Sequence, residues 1–114
     1  MTTSLARAEI YVQGAHVAAY TPSGGAPILF LSEASRFAPG LPIRGGIPLA
    51  FPWFARKAGE PAAPLHGLAR LVPWTLEAVD DFWIEVTPDV SGPIECWRLF
   101  VTGEDEQHFS YQAR

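Results

Sequence analysis

The stretch from Ile43 to Arg70 reads IRGGIPLAFPWFARKAGEPAAPLHGLAR, and neither a helix nor a long central strand can accommodate it. It holds a Gly pair and four prolines. Proline removes a backbone donor, and glycine weakens the order of a strand. We therefore expect irregular backbone, braced by Phe51, Trp53 and Phe54 packing beneath it. Because long ordered loops in small domains usually carry function, residues 43–70 are the candidate site.

Length and composition predict one all-β domain over residues 1–114. A chain of 114 residues can build one hydrophobic core but not two. Its 48% of apolar and 18% of charged residues are typical of a folded protein. With 10 glycines and 11 prolines, the chain is rich in turn formers. This composition, together with short runs of β-branched and aromatic residues, favours a loop-rich antiparallel β-sandwich.

Apolar residues that alternate or run together predict short strands on both sides of the loop. The predicted strands are Ala8–Gln13, Val17–Tyr20, Pro27–Leu31 (buried on both faces), Trp74–Val79, Phe82–Thr87, Ile94–Val101 and His108–Ala113. The predicted turns are residues 21–25, Asp80-Asp81, residues 88–92 and residues 102–106, and Ser32 is a possible cap for one helical turn over Ser32–Arg36. No long amphipathic helix and no internal repeat is predicted.

Charge and cysteine content exclude several classes of protein. The net charge of −4 and the pI near 5.2 argue against a nucleic-acid or anionic-membrane partner, since both need a cationic face. Met1–Arg7 contains no apolar signal-peptide core, and no apolar run is long enough to cross a bilayer. The single cysteine, Cys96, cannot form an internal disulfide, and no Cys/His cluster has zinc-ligand spacing. We expect a cytoplasmic protein without metal or cofactor.

The residues at the ends of the loop indicate the chemistry of a possible site. Arg44 precedes Gly45-Gly46, where the backbone can turn sharply and let a ligand approach. If the prolines fold Arg70 back toward Arg44, two planar guanidiniums would suit a phosphate or a set of sugar hydroxyls. Trp53 could offer a ring face to a sugar, and His66 could donate or accept a hydrogen bond. Residue types alone therefore predict an anion or polyol pocket on a β domain.

Each of these residues also has a purely structural interpretation, which the sequence leaves open. A loop arginine is often solvated or bonded to a carbonyl, and a histidine before a glycine is often a structural hydrogen-bonding group. The three aromatic residues of the loop are more typical of a core than of a ligand platform. Cys96, inside an apolar run, is typical of a small buried hydrophobe.

Six short motifs occur in one order over roughly Ile10–Leu76. They are Gly14-Ala15-His16-Val17, Leu31-Ser32-x-x-Ser35-x-Phe37, Ile43-Arg44-Gly45-Gly46-Ile47-Pro48, Phe51-Pro52-Trp53-Phe54, His66-Gly67-x-Ala69-Arg70 and Pro73-Trp74. Together they resemble the N-terminal part of the hexose-6-phosphate mutarotases (glucose-6-phosphate 1-epimerases) of the aldose 1-epimerase superfamily. The resemblance implies a galactose-mutarotase-like antiparallel β-sandwich, here truncated, with a sugar-binding cleft.

The same resemblance implies roles for individual residues. Arg44 and Arg70 match the family's substrate-binding, phosphate-facing arginines, and His66 lies beside them in the second motif. Two positions depart from the family pattern. Ala55 stands where the family commonly has glycine, and Leu65 where some members carry a polar residue that contacts substrate.

The catalytic pair of the family is not identifiable in this sequence. Mutarotation needs a base for the anomeric hydroxyl and an acid for the ring oxygen. The family supplies them from a mid-chain histidine motif and a glutamate near the C-terminal end, and neither motif is found here. His108 lies in a different context from the family's catalytic histidine, so the catalytic residues stay unassigned.

Three functions follow as alternatives. The first is a truncated mutarotase-like domain that binds a hexose or hexose phosphate without efficient epimerisation. The second is a cofactor-independent hexose-6-phosphate 1-epimerase whose acid and base come from unconventional positions, for instance across a subunit interface. The third is an interaction or structural module in which the motifs only pack the fold.

A shortened sandwich also predicts self-association. It would leave a strand edge unpaired or an apolar face uncovered, and both invite a partner. We expect a homodimer or higher homo-oligomer that pairs through Ile94–Val101 or His108–Ala113, with two-fold symmetry as the commonest arrangement.

Overall fold

A computed structural model of the chain describes residues 1–79, 83–88, 97–102 and 108–113. The described elements are β1 (Ala6–Tyr11), β2 (His16–Pro22), a 3₁₀ turn (Ala69–Leu71), β3 (Trp74–Val79), β4 (Trp83–Pro88), β5 (Trp97–Thr102) and β6 (His108–Ala113). β1 and β2 form an antiparallel pair, and the other four strands form an antiparallel sheet in the order β3-β4-β5-β6. No helix in the described ranges is long and apolar enough to cross a membrane.

The β1–β2 pair follows the period-two pattern of its sequence. Ala6 and Ala8 are buried and pack with Tyr20, whereas Arg7 and Glu9 between and after them are exposed. The register shifts after Glu9, where the strand is irregular. β1 thus begins two residues before the predicted strand Ala8–Gln13 and ends two residues before its end.

Backbone hydrogen bonds join the β1–β2 connection to the start of β3. The amide of Trp74 donates to the carbonyl of Val12 (2.8 Å), and the amide of Gly14 donates to the carbonyl of Val72 (2.8 Å). Trp74 is buried, and its indole Nε1–H donates to the carbonyl of Ala69 (2.9 Å). One core cluster joins this junction to the long loop. It consists of Ala15 and Trp74 from the junction and Leu49 and Ala69 from the loop, with Phe51 packed against it.

The prediction of a buried strand over Pro27–Leu31 is wrong. Residues 26–30 form no strand, and the side chains of Ile28 and Phe30 are 57% and 78% exposed. Leu31 makes only an isolated bridge to Gly45. The segment lies against the Gly45-Gly46 turn, which bends away after one pairing, so no ladder can extend along it. A continuous apolar run does not by itself distinguish a buried strand from an exposed apolar segment.

Other local predictions had mixed outcomes. The turn at residues 21–25 is confirmed, since the amide of Gly25 donates to the carbonyl of Pro22 (3.0 Å). Ser32 caps a turn, but residues 32–36 are not helical. The Oγ of Ser32 accepts a hydrogen bond from the amide of Ala34 (3.2 Å), and the carbonyl of Ser32 accepts one from the amide of Ser35 (3.0 Å).

The last four predicted strands are present in the structure. β3 and β6 have the predicted bounds, and β4 and β5 begin and end one to three residues later than predicted. The predicted turns between them lie outside the described residues, except that Pro88 and Thr102 are the last residues of β4 and β5.

The sheet order bears on the predicted dimer. β5 is paired with β4 on one side and β6 on the other, so the described part of the predicted segment Ile94–Val101, from Trp97 onward, offers no free edge for a partner. β6, the other candidate, lies at one edge of this sheet. Self-association through His108–Ala113 stays a prediction.

Candidate functional site

The loop over residues 43–70 is irregular, as predicted, and isolated bridges tie it to its surroundings. Ile47 and Val17 exchange backbone hydrogen bonds, 2.8 Å from the Ile47 amide and 3.3 Å from the Val17 amide. Gly67 forms a parallel bridge with Phe51. The first half of the loop is thus fixed to β2, and the second half is fixed to the first.

The backbone of Arg44 is held on both sides by one hydroxyl group. Ser35 Oγ accepts from the Arg44 amide (3.0 Å) and donates to the Arg44 carbonyl (2.9 Å), to which the Ser32 amide also donates (3.0 Å). The residue itself is exposed. The two serines of the Leu31–Phe37 motif therefore fix the Arg44 backbone and leave its guanidinium toward solvent.

Arg70 is half-buried and carries an unsatisfied donor. Its Nε is buried and has no hydrogen-bond partner among the described residues. Burial, and then the positive charge of Arg44, lower the pKa of Arg70. The positive charges of Arg44 and Arg70 therefore repel each other. The ion pairs found in the described ranges, Arg7–Glu9 and Lys57–Glu60, involve neither arginine.

Gly14 lets the β1–β2 connection lie directly against Arg70. A Cβ at Gly14 would lie 2.7 Å from the Arg70 carbonyl oxygen and 2.8 Å from its Cα. Any larger residue would push the Arg70 backbone away. The motif Gly14-Ala15-His16-Val17 therefore helps to fix the backbone of Arg70.

His16 is a residue of this neighbourhood that sequence reasoning did not select. It is the first residue of β2, is 1% exposed, and its Nε2 lies 2.8 Å from the carbonyl oxygen of Gly45. A carbonyl only accepts, so Nε2 carries the proton and donates. Burial lowers the pKa of His16, the Gly45 bond opposes this, and the Arg70 charge lowers the pKa further. The ring is therefore neutral at pH 7, and its motif Gly14-Ala15-His16-Val17 was the only sequence signal.

His66 is fixed by reciprocal bonds with Ala55. The Ala55 amide donates to His66 Nδ1 (3.0 Å), and the His66 amide donates to the Ala55 carbonyl (2.8 Å). Because Nδ1 accepts, a neutral His66 carries its proton on Nε2, which is free to serve as a donor. Ala55 has φ +60°, a left-handed conformation in which glycine would be unstrained, and this explains the glycine of the family pattern.

The expectation that Phe54 packs beneath the loop is wrong. Its side chain is 78% exposed, and its ring lies 4.8 Å from that of His66, tilted by 54°. Phe51, in contrast, packs against the core cluster. Periodicity does not apply in irregular backbone, so no local pattern could have separated the two phenylalanines.

Trp53 is engaged within the loop. Its Nε1–H donates to the carbonyl of Pro64 (2.9 Å), and Lys57 Nζ lies 4.9 Å from the ring centroid. In the described part of the chain, the recorded contacts of Trp53 and His66 stay within residues 53–66 and do not reach Arg44 or Arg70. The charges of Arg44 and Arg70 thus act on each other and that of Arg70 acts on His16, whereas His66 lies against Phe54.

Comparisons with known proteins agree with the resemblance in the motifs. The profile of the family described as aldose 1-epimerase matches residues 1–112. A protein of Escherichia coli (strain K12) named "Putative glucose-6-phosphate 1-epimerase" is 42% identical over 72 residues, which are 63% of this chain and 24% of that protein. A protein of the same name from Salmonella typhimurium is 40% identical over 72 residues, with the same shares.

A solved structure supports the fold. The crystal structure of a "putative mutarotase" from Salmonella typhimurium superposes with a TM-score of 0.70 at 31% identity, covering 84% of this chain and 37% of that one. The superposition confirms the expected mutarotase-like antiparallel β-sandwich fold. The chain spans well under half of the length of the proteins it matches. By its sequence profile and its fold, this chain belongs to the aldose 1-epimerase family.

Proposed function

We propose that the chain binds a hexose phosphate, with Arg44 and Arg70 as ligands of the phosphate and without efficient epimerisation. The observation that carries the proposal is the buried Nε of Arg70, which has no partner among the described residues and whose guanidinium feels the positive charge of Arg44. A buried donor without an acceptor costs about 1–3 kcal/mol, more when it is charged. An anion between the two guanidiniums would satisfy that donor and neutralise their mutual repulsion.

The charge of the neighbourhood favours a phosphate over an uncharged sugar. A phosphate oxygen accepts charge-assisted hydrogen bonds, and a guanidinium can give two of them in parallel. A hydroxyl would satisfy the Arg70 donor but would leave both positive charges uncompensated. Because the whole chain carries a net charge of −4, the attraction of an anion is confined to the two arginines. Such a site suits a small anion and not a nucleic acid, which needs an extended cationic face.

The sugar itself would be held by neutral groups of the loop. We propose the Nε2–H of His66 as a donor to a sugar hydroxyl, and Trp53 of the same segment as a ring face for the sugar. The exposed ring of Phe54, 4.8 Å from the His66 ring, adds an apolar face that sugar C–H groups can contact. Catalytic residues remain unassigned, since no acid and base on opposite sides of this site are identified among the residues that the structure describes.

Isothermal titration calorimetry with glucose 6-phosphate, glucose and inorganic phosphate tests the proposal. We expect glucose 6-phosphate to bind at least tenfold more tightly than glucose. Arg44→Ala and Arg70→Ala should each weaken glucose 6-phosphate binding about 10- to 100-fold, the effect of losing a hydrogen bond to a charged group. The control Arg7→Ala removes the same charge from an exposed ion pair with Glu9 and should bind like the wild type.

Three results would reject this function. They are no binding at millimolar ligand, equal affinity for glucose and glucose 6-phosphate, and equal losses in Arg7→Ala and Arg70→Ala. The first, in a folded protein, would favour the interaction or structural module instead.

The epimerase alternative is decided by polarimetry on α-glucose 6-phosphate with the same samples. It is favoured by the names of the curated relatives, and interconversion faster than in buffer would establish it. Light scattering at tens of micromolar tests the predicted homo-oligomer, for which a monomer is the contrary result. The cytoplasmic location stays a prediction.

A further inference from the structure

His16 connects the strand β2 to the turn that carries Arg44. Its Nε2 bonds to the carbonyl of Gly45, a residue 29 positions away in the chain, and its ring is almost completely buried. A Cβ at Gly46 would lie only 2.7 Å from the same Nε2. The imidazole therefore touches both glycines that follow Arg44.

We propose that His16 is a positioning residue for the phosphate-binding arginines: its Nε2–H fixes the Gly45 carbonyl, and with it the direction in which Arg44 leaves the turn, while its ring fills the space beside Arg70. This inference rests on the proposed function for its ligand. It adds a residue that makes no contact of its own with phosphate or sugar.

The backbone around Arg44 is then held from two sides. Ser35 fixes the amide and the carbonyl of Arg44 itself, and His16 fixes the next carbonyl along the chain. A residue followed by two glycines has little backbone stiffness of its own. The amide of Gly46 donates to the carbonyl of Phe30 (2.7 Å), so the Gly45–Gly46 peptide is held at both its polar groups. Without the His16 bond, only the amide end stays fixed, the Gly45 carbonyl can tilt, and Arg44 loses part of its orientation relative to Arg70.

Histidine suits this position because the proton on Nε2 can be donated without adding a third positive charge. The positive charge of Arg70 already acts on the ring, and a lysine or arginine at position 16 would repel Arg70. Glutamine can place an amide N–H near the position of Nε2. Asparagine is one bond shorter and cannot reach the Gly45 carbonyl from the same backbone.

The test compares His16→Gln, His16→Asn and Val17→Ala in the full chain. Val17 is the fully buried neighbour of His16, so its truncation makes a cavity in the same strand and leaves the donor to Gly45 in place. The measured quantity is the ratio of affinities for glucose 6-phosphate and glucose. We expect His16→Asn to lower this ratio about tenfold, the loss of one well-placed charged hydrogen bond. His16→Gln and Val17→Ala should keep it within about twofold of the wild type, since both retain a donor to Gly45.

An unchanged ratio in His16→Asn overturns the assignment, and so does an equal fall in Val17→Ala, which would indicate general loss of packing. A second measurement does not depend on ligand. In the ¹⁵N-labelled, ligand-free protein, the backbone amide signals of Arg44 and Gly46 should move in His16→Asn and stay near their wild-type positions in His16→Gln.

The two measurements separate failure of this inference from failure of the proposed function. If the wild type shows no preference for the phosphate, the proposed function fails, and the amide signals alone decide whether His16 positions the turn. Signals that stay in place in His16→Asn overturn the inference whatever the ligand is.

Discussion

Substitution of Gly46 by alanine should destabilise the fold because two backbones meet at this residue. Gly46 has φ +61°, and a Cβ there would lie 2.3 Å from the carbonyl oxygen of Val17, far inside van der Waals contact. That oxygen accepts the hydrogen bond from the Ile47 amide. To admit the methyl group, β2 and the loop must separate at the point where Val17 and Ile47 exchange their two hydrogen bonds.

The magnitude follows from the interactions that must give way. A left-handed conformation costs alanine about 1 kcal/mol relative to glycine. Two weakened backbone hydrogen bonds cost about 1 kcal/mol each. Gly46→Ala should therefore lower the free energy of unfolding by about 3 kcal/mol, a large part of the 5–15 kcal/mol that holds a typical domain together.

Urea denaturation followed by tryptophan fluorescence measures this free energy, and Gly59→Ala is the matched control. Gly59 has φ +74°, but no atom of the described residues lies within 4 Å of the position of its Cβ. Its substitution should cost only the conformational part, about 1 kcal/mol. Equal losses in the two variants, or a loss below about 0.5 kcal/mol in Gly46→Ala, would refute the close contact between loop and strand.

Three further predictions concern single groups of the site and core. Ser35→Ala removes both hydroxyl bonds to the Arg44 backbone and should destabilise by about 1–2 kcal/mol while weakening phosphate binding, as calorimetry and denaturation can show. Trp74→Phe leaves the buried carbonyl of Ala69 without its donor and should cost about 1–3 kcal/mol in the same denaturation assay. Because the pKa of His16 is lowered in the fold, the unfolded chain binds a proton around pH 6.5 that the folded chain does not bind. The free energy of unfolding should therefore fall as the pH is lowered through 6.5, and it should be level well above that pH.

Each has a contrary result. If Ser35→Ala leaves the phosphate affinity unchanged, the hydrogen bonds of Ser35 do not position Arg44 for binding. A Trp74→Phe variant as stable as the wild type would show that the indole bond is replaced by water. If His16→Gln keeps the wild-type decline in stability below pH 6.5, another group is responsible for it.

Local sequence was sufficient for much of the scaffold. Alternation predicted a strand at β1, and β3 and β6 were predicted with the bounds that the structure has. The Gly and Pro content of residues 43–70 predicted irregular backbone. These outcomes depend on steric and packing rules that act within a few residues.

Features set by distant residues could not be predicted in the same way. Pro27–Leu31 has the composition of a strand but faces a turn that ends its pairing after one residue. Phe54 is exposed and Phe51 packs against the core, although both lie in the same tetrapeptide. His16 acts through a carbonyl 29 positions away, which no periodicity in a single sequence encodes.

The segment from Trp53 to His66 is closed by its own contacts, and this separates its tip from the rest of the molecule. Trp53 bonds to Pro64, Ala55 bonds twice to His66, and Lys57 pairs with Glu60. The exposed Gly59 lies beyond all three ties. We expect a peptide or a fluorophore attached at Gly59 to leave Arg44 and Arg70 undisturbed, so this position suits a reporter for the proposed binding of a sugar phosphate.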